Sequence, residues 1–591
     1  MRIRSTAALL AMTMLAAGGL SASRSSVFNF VSHDEAKRAA AEQIISTPAR
    51  AWMWSNDTVY KPGDQLTAWW TVKPNSDLYP VTIVAYRVNN QTGEKTYLPA
   101  GTTELTDVFG NTPAQGFEIT RWPNATKSAL IGNGGLIPAL TIPNELGMHT
   151  LIVEFRDFTG KTVIKRLYQK ISVVDQFVTV NEPIEADTTW VRTKSYVLGA
   201  TIIVRNATLA IESGTIIRGN PGTTAAAALI IRNDSKLIAR GTKSRPIIFT
   251  SALAPGLRQP GDIAGVALLG TAPVNTGTDN LEGLPAGPDT VFGGSDPNHS
   301  CGELTYVRVE FAGRELSPDN ELNAFTFAGC GKGTVANHLQ AHYGFDDLFE
   351  WFGGTNDVQY IVGTAGRDDG FDLQKGTTSR AQHYIVVYYP DNPHDKGIEA
   401  DNLVDNNSAT PFSNPQLWNA TFVGAGSACR TDDCEGARLR RGLKGSFNNI
   451  VFTNFWSWAW GVRDAVTEDN VRNNELTANG IVVWNNNLKR NGANTLEGQF
   501  PQGISRDWAA GTVGTARNVV VANPMFRSLV PSDWDLRPAP GSPLSGSRWA
   551  LPPNDGFFDQ SVDSNCAGAI CGGYDWTEEW TNKRMESDLR Q

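Results

Sequence analysis

The sequence predicts an all-β fold: a parallel β-helix (solenoid) preceded by a β-sandwich. Three observations carry this. The 591 residues include 57 glycines and 31 prolines, which favours many turns and argues against long helical bundles. From residue 185 onward, short β-branched strands alternate with Gly, Asn and Asp turns and show no helical period. These strands return about every 22 to 34 residues, the spacing at which coils of a parallel β-helix bury their inward residues against their neighbours. With 41% apolar and 19% charged residues, the chain can bury a sizeable core.

The elements follow in order. Arg2 and Arg4, an apolar run from Ala7 to Leu20, and the small residues Ser21, Ala22 and Ser23 read as a secretory signal peptide over 1–23. The run is shorter than the roughly 20 residues a spanning helix needs. No cysteine follows it, which argues against a lipid anchor, and no later stretch could span a membrane. The expected address is therefore secreted, extracellular or at the outer cell surface. The segment 24–50 contains DEAKRAAAEQII and reads as a helical linker with Asp34 as its cap.

Residues 51–177 carry the strands QLTAWWTV, YPVTIVAYRV, GMHTLIVEFRD and KTVIKRLYQKISVV, with FTGK as a hairpin turn, and read as the sandwich. The pattern resembles the immunoglobulin-like modules that precede other domains in exported proteins. The β-helix is expected over 185–545 and a C-terminal cap or tail over 546–591. Six cysteines fall in neighbouring sets, Cys301 with Cys330, Cys429 with Cys434 and Cys566 with Cys571, and read as three local disulfides of an oxidising compartment. A net charge of −9 argues against a nucleic-acid partner. Seventeen tryptophans make sugar stacking a live idea.

The segments ATLAIESGTIIRG, KLIARGTKSRPIIFTS, VRVEFAG, FEWFGGTNDVQYIV and YDWTEEWTN resemble a large family of exported right-handed β-helix proteins of Gram-negative bacteria. That resemblance implies the right-handed fold and says little about activity.

Aligning the coils on their strand ends brings out a polar repeat. One column reads Glu350, Asp372, Glu399, Arg438 and Arg463. A second reads Asp347, Asp369, Lys396, Glu435 and Trp460, and a third Asp346, Asp368 and Asp395. Adjacent coils lie about 4.8 Å apart, so stacked carboxylates raise one another's pKa unless a cation joins them. Asp347, Asp368, Asp369 and Asp372 are therefore read as a calcium site, since calcium accepts six to eight oxygens.

The string DDGFD at 368–372 is similar to the calcium-binding segment of the ninth family of polysaccharide lyases. The resemblance implies β-elimination on an acidic, uronate-containing polysaccharide or cell-surface glycan. Calcium would neutralise the uronate and acidify its α-proton, and Lys396, its pKa lowered by burial, would remove that proton. Arg438, with Arg440, Arg441 and Arg463, would clamp neighbouring carboxylates. Trp456, Trp458 and Trp460 would offer a stacking platform.

A second reading stands beside this one. The acidic columns brace the solenoid, Lys396 and the arginines neutralise them as ion pairs, part of the Trp trio is core, and the protein is a non-catalytic adhesin or matrix component. A lyase needs these cations exposed in an open groove; a bracing ladder needs them paired and covered. His338, His342, His383 and His394 read as a solvated strand face rather than a metal site. GCGKGT at 329–334 lacks phosphate-loop spacing, and no GxSxG elbow is present. The loop 271–300 reads as a surface excursion beside a groove.

Overall fold

The computed structural model describes residues 49–589 apart from 75–81, 98–116, 121–134, 157–162, 222–225, 318–319, 393, 547 and 561–565. The signal peptide expected over 1–23 lies outside the described residues. So does the linker except Ala49 and Arg50, which open a strand rather than ending a helix.

The described residues form one compact unit. Its N-terminal part holds two sheets. Ala49–Ser55, Gln65–Pro74 and Gly135–Thr141 pair antiparallel. The second sheet runs in the order Val59–Tyr60, Val163–Val173, Gly147–Arg156, Thr82–Asn89 and Lys95–Tyr97, with Phe117–Thr120 also on Thr82–Asn89. Val59, Met148 and Val174 pack against Ile216 and Ile248 of the first coils, which fixes this part to the solenoid.

The solenoid is a parallel β-helix. A 15-stranded sheet runs from Gln176–Val180 to Ala516–Val521, and a 9-stranded sheet from Thr201–Val204 to Gly461–Val462. The coils thus begin before residue 185 and end before 545. Past the coils, described residues meet side chains of the long sheet at successively earlier strands: the amides of Ala550, Asp559 and Asn582 donate to Asn449, Gln382 and Gln340.

Alternation along each strand decides what is inside. In Phe349–Phe352, Phe349 and Trp351 enter the core and Glu350 points away from it. Phe325, Phe349 and Phe371 stack at 5.2 and 5.5 Å, coil on coil. Each such pair adds about 0.5–1.5 kcal/mol beyond its buried area. Trp508, fully buried in the helix Ile504–Ala509, packs on Trp460 in the last coils.

The long strands bend at one position per coil. Tyr306, His338, Tyr360, His383, Asn419 and Asn449 lie level with one another and have φ of 49° to 57°. Left-handed backbone costs a non-glycine residue about 1–3 kcal/mol. Here ring stacking offsets it: Tyr306, His338, Tyr360 and His383 lie face to face at 4.2, 4.7 and 4.9 Å. Trp576 and Trp580 of the C-terminal segment meet this stack edge-on.

Those contacts correct the reading of the histidines as solvated. Burial lowers His338 to about 4 and His342 and His394 to about 3. His342 Nδ1 lies 2.7 Å from Thr364 Oγ1, and His394 stacks on Tyr388 at 3.9 Å. They are neutral packing groups. The three disulfides pair as read: Cys301–Cys330, Cys429–Cys434 and Cys566–Cys571.

Candidate functional site

The acidic repeat lies on the outer side of the 9-stranded sheet. Glu350, Asp372, Glu399 and Arg438 are direct neighbours across four strands. The next residue in this column is Gly461, not Arg463. The second column is traced by the turn backbones: Leu348, Gly370, Gly397 and Gly436 donate to the carbonyls of Asp369, Lys396, Glu435 and Trp458. It runs through Asp347, Asp369, Lys396 and Glu435 and continues in Trp458, not Trp460. Asp395 N–H donates to Asp368 O at 3.3 Å, which places those two in the third column.

The turn acids do a local job first. The amide of Asp347 donates to Asn323 Oδ1 at 3.2 Å, that of Asp369 to Asp347 Oδ1 at 2.9 Å, and that of Lys396 to Asp369 Oδ1 at 2.7 Å. Each turn is thereby laced to the next, as short acidic and amide side chains do for backbone amides.

Charge divides the ladder into two halves. Toward the C-terminal coils it is neutralised. Arg438 pairs with Glu435 at 2.6 Å and Asp433, Arg440 with Asp401 at 2.9 Å and Glu399, Arg441 with Asp401, and Arg463 with Glu435. These arginines are engaged as ion pairs between coils, which corrects their reading as a free clamp for substrate. Toward the N-terminal coils carboxylates crowd together. Oxygens of Asp346, Asp347 and Asp368, of Asp347, Glu350 and Asp372, and of Asp368, Asp369 and Asp395 lie within 4.8 Å of one another in each trio. The four acids read as a calcium site all belong to these trios, and Asp346, Glu350 and Asp395 join them.

Burial and then mutual repulsion hold Asp346, Asp347 and Glu350 well above the usual carboxylate range. Burial likewise raises Asp369 against the pull of Lys396, and raises Asp372, where Glu399 and Asp401 add to it. Asp368 rises to about 6 by burial, which Lys396 opposes. Gln374 Nε2 donates to Glu350 Oε1 and Asp372 Oδ2, each at 2.9 Å. Asp372 Oδ1 is buried with no hydrogen-bond partner, a costly state for a carboxylate oxygen. A divalent cation fits this donor set: hard oxygens in number, and one oxygen left waiting.

Lys396 sits inside the ladder rather than beside a groove. Its side chain is 5% exposed, and its Nζ lies 3.3 Å from Asp369 and 3.6 Å from Glu399 and bonds Asp395. Burial lowers its pKa, but Asp369, Glu399, Asp395 and Asp368 outweigh burial and hold it above the ordinary lysine range. This corrects the reading of Lys396 as a base: an ammonium held this firmly does not accept a proton.

The Trp trio also divides. Trp460 is core, 4.6 Å from Phe500 and donating to Ser505 O. Trp456 and Trp458 are half-buried, and Arg490 covers Trp458 at 4.8 Å. They do not form one platform.

A depression of about 390 Å³ opens over the crowded half, lined by Glu321, Phe345, Asp346, Arg367 and Asp368. Arg367 lies 4.7 Å above the Phe345 ring and, among the described residues, makes no ion pair. Phe345 and Arg367 occupy the position before Asp346 and Asp368 in two successive coils, so a fourth column would have revealed them. Glu282, by contrast, reaches Glu350 from another segment and left no trace in the repeat, whereas Asn323 stands level with Asp347 and extends the second column by one coil. The loop 271–300 does border the site, through Glu282 beside Glu350.

No helix among the described residues is long and apolar enough to cross a membrane. No curated protein matches the chain. A solved structure of the Yersinia enterocolitica family 28 exopolygalacturonase is similar at 10% identity, covering 73% of this chain and 92% of that one, with a TM-score of 0.19. The model of the pectate-lyase-like β-helix domain matches residues 182–523, more than half of the chain and nearly the whole run of coils. The chain belongs to the pectate-lyase-like β-helix family.

Proposed function

We propose that the protein binds an acidic polysaccharide in an oxidising extracytoplasmic setting, through calcium held by the crowded half of the ladder. One observation carries this reading. Carboxylates form three overlapping trios, two of which reach an open depression through Asp346 and Asp368, and the arginines that neutralise the other half do not pair with them. Asp346, Asp347 and Asp368 would hold the ion nearest the opening, with Asp372 Oδ1 as a deeper donor. Bound calcium would supply positive charge for a uronate carboxylate. Arg367 would take a second carboxylate, and the Phe345 ring offers apolar surface to a sugar face. The family's name supports a polysaccharide ligand, and the three disulfides fit the compartment.

A lyase is the second reading, favoured by the same family name. It would need a base other than Lys396. The pairing of Lys396 and of Arg438, Arg440, Arg441 and Arg463 favours binding without cleavage, the role of an adhesin or matrix component.

The test mixes the full chain with pectate, alginate and glycosaminoglycans, with calcium and with chelator. Binding and ultraviolet absorbance of unsaturated product are followed together. Calcium-dependent retention without product supports the binding reading. Calcium-dependent product that survives Lys396→Ala establishes a lyase with a different base. No interaction with any polymer overturns both.

A further inference from the structure

A second cavity, of about 420 Å³, lies away from the ladder. It opens where the strand Val163–Val173 faces the C-terminal segment, with Arg308 of the solenoid behind it. The two cavities share no lining residue. We propose that this seam cavity binds a small anion of carboxylate or sulfate chemistry, up to the size of an acidic monosaccharide, with Arg584 as its principal contact. The proposal does not rest on the calcium reading.

The wall itself carries more cations than carboxylates, and the outlying Glu154 and Glu310 balance the count. It carries Lys165, Arg166, Lys170, Arg308, Arg537, Lys583 and Arg584 against five carboxylates. Four of those acids are already taken: Asp533 by Lys165, Asp535 by Arg537, Asp575 by Lys583 at 3.3 Å, and Glu579 by Lys170 at 3.3 Å. The fifth, Glu578, accepts from the Tyr168 hydroxyl at 3.1 Å. Arg166 and Arg308 are matched by Glu154 and Glu310, which are not part of the wall.

Arg584 is different. Its Nη1 donates to Met53 O at 3.2 Å and to Gln169 Oε1 at 2.5 Å, and its Nε donates to Asn582 Oδ1 at 3.1 Å. All three are neutral acceptors. Among the described residues no carboxylate lies within ion-pair distance of it. Glu586 and Glu310 act on it from beyond that distance, so a half-buried guanidinium held only by neutral acceptors keeps room for an anion in contact.

The surrounding cations point the same way. Burial pulls Arg584 down to about 10, Lys170 to about 8, and Lys165 to about 8, with the Lys583 charge adding to burial at Lys165. An anion in the cavity would relieve all three. The volume lies within the range of ligand pockets, roughly 300–1,000 Å³. Tyr168 adds aromatic surface of the kind that faces sugar rings.

The test is calorimetric titration of the full chain in excess chelator, with galacturonate, glucuronate, sodium sulfate and neutral galactose. Saturable binding of the uronates, competed by sulfate and absent for galactose, is the expected result. Binding of sulfate without the uronates keeps the site and names a free oxyanion as its source. Arg584→Gln should weaken binding at least tenfold, and Arg584→Lys should recover part of it. Because Arg584 also ties strand to tail, Lys583→Gln is run beside it and should weaken binding several-fold with the Arg584 bonds intact. Glu475→Gln, in a remote surface pair with Lys444, should leave binding unchanged. The proposal falls if no anion binds better than galactose, or if Lys583→Gln and Arg584→Gln both bind like the parent.

Discussion

Asp369 Oδ1 takes two hydrogen bonds from Lys396, one from the backbone amide at 2.7 Å and one from the ammonium at 3.3 Å. One carboxylate oxygen thus fixes both the turn and the side chain of the next coil. Removing the ammonium leaves Asp369, Asp395 and Glu399 crowded. Lys396→Met should therefore cost about 3–5 kcal/mol of stability, the penalty for breaking a buried pair. It should also tighten calcium binding, because a competing cation has gone. Urea unfolding with and without calcium measures both; an unchanged midpoint in chelator would contradict the ladder's role in bracing.

Calcium itself should stabilise the protein. At a hundredfold excess over Kd, linkage gives about 2.7 kcal/mol. Asp368→Asn and Asp347→Asn should each reduce that gain, while Glu475→Gln, whose partner Lys444 lies in a remote surface pair, should not. Differential scanning calorimetry across a calcium series is the measurement. Equal gains in all variants would place the ion elsewhere.

The pH dependence has a definite sign. Asp346, Asp347, Glu350, Asp369 and Asp372 are raised on folding, and Asp368 reaches about 6. Above the unfolded carboxylate range the native state then binds more protons than the unfolded state. Stability of the metal-free protein should therefore rise as pH falls from 7.5 to 6.5. The buried histidines, lowered on folding, act in the opposite sense, but mainly below about 6.5, their ordinary value. Saturating calcium should flatten the slope, since metal and proton compete for the same oxygens. Melting temperatures at four pH values, with chelator and with calcium, provide the check.

Trp580 is fully buried and lies edge-on to His338 at 5.8 Å. Trp580→Ala should destabilise by about 3–5 kcal/mol. It should also open the Tyr–His stack to water, so that His338 moves from about 4 toward its ordinary value near 6.5. Proton NMR titration of the histidines reads this directly, and an unmoved His338 would mean that another group shields it.

Much of the ladder was legible because it is periodic. The stacking of Glu350, Asp372 and Glu399 follows from coil spacing alone. The last coil was misjudged for a physical reason. Aligning Arg463 with Arg438 slips the register by two residues, and a two-residue slip leaves the in–out alternation intact, so the pattern cannot detect it. In the true register Trp460 stands level with Ala437, a core position, and is drawn inside.

The sequence by itself determined the fold class, the phase of the acidic columns and the three cysteine pairs. Each is set by short-range repetition, in which one coil lies beside the next. The tertiary structure decided which charges are met and which are covered. That depends on groups distant in the chain: Asn582 seals Gln340 from 242 residues away, and Glu282 reaches Glu350 from outside the repeat. A lysine among carboxylates reads the same in sequence whether it is an open base or a buried brace. Only the positions of its neighbours fix the balance between burial and Coulomb attraction, and here the attraction wins.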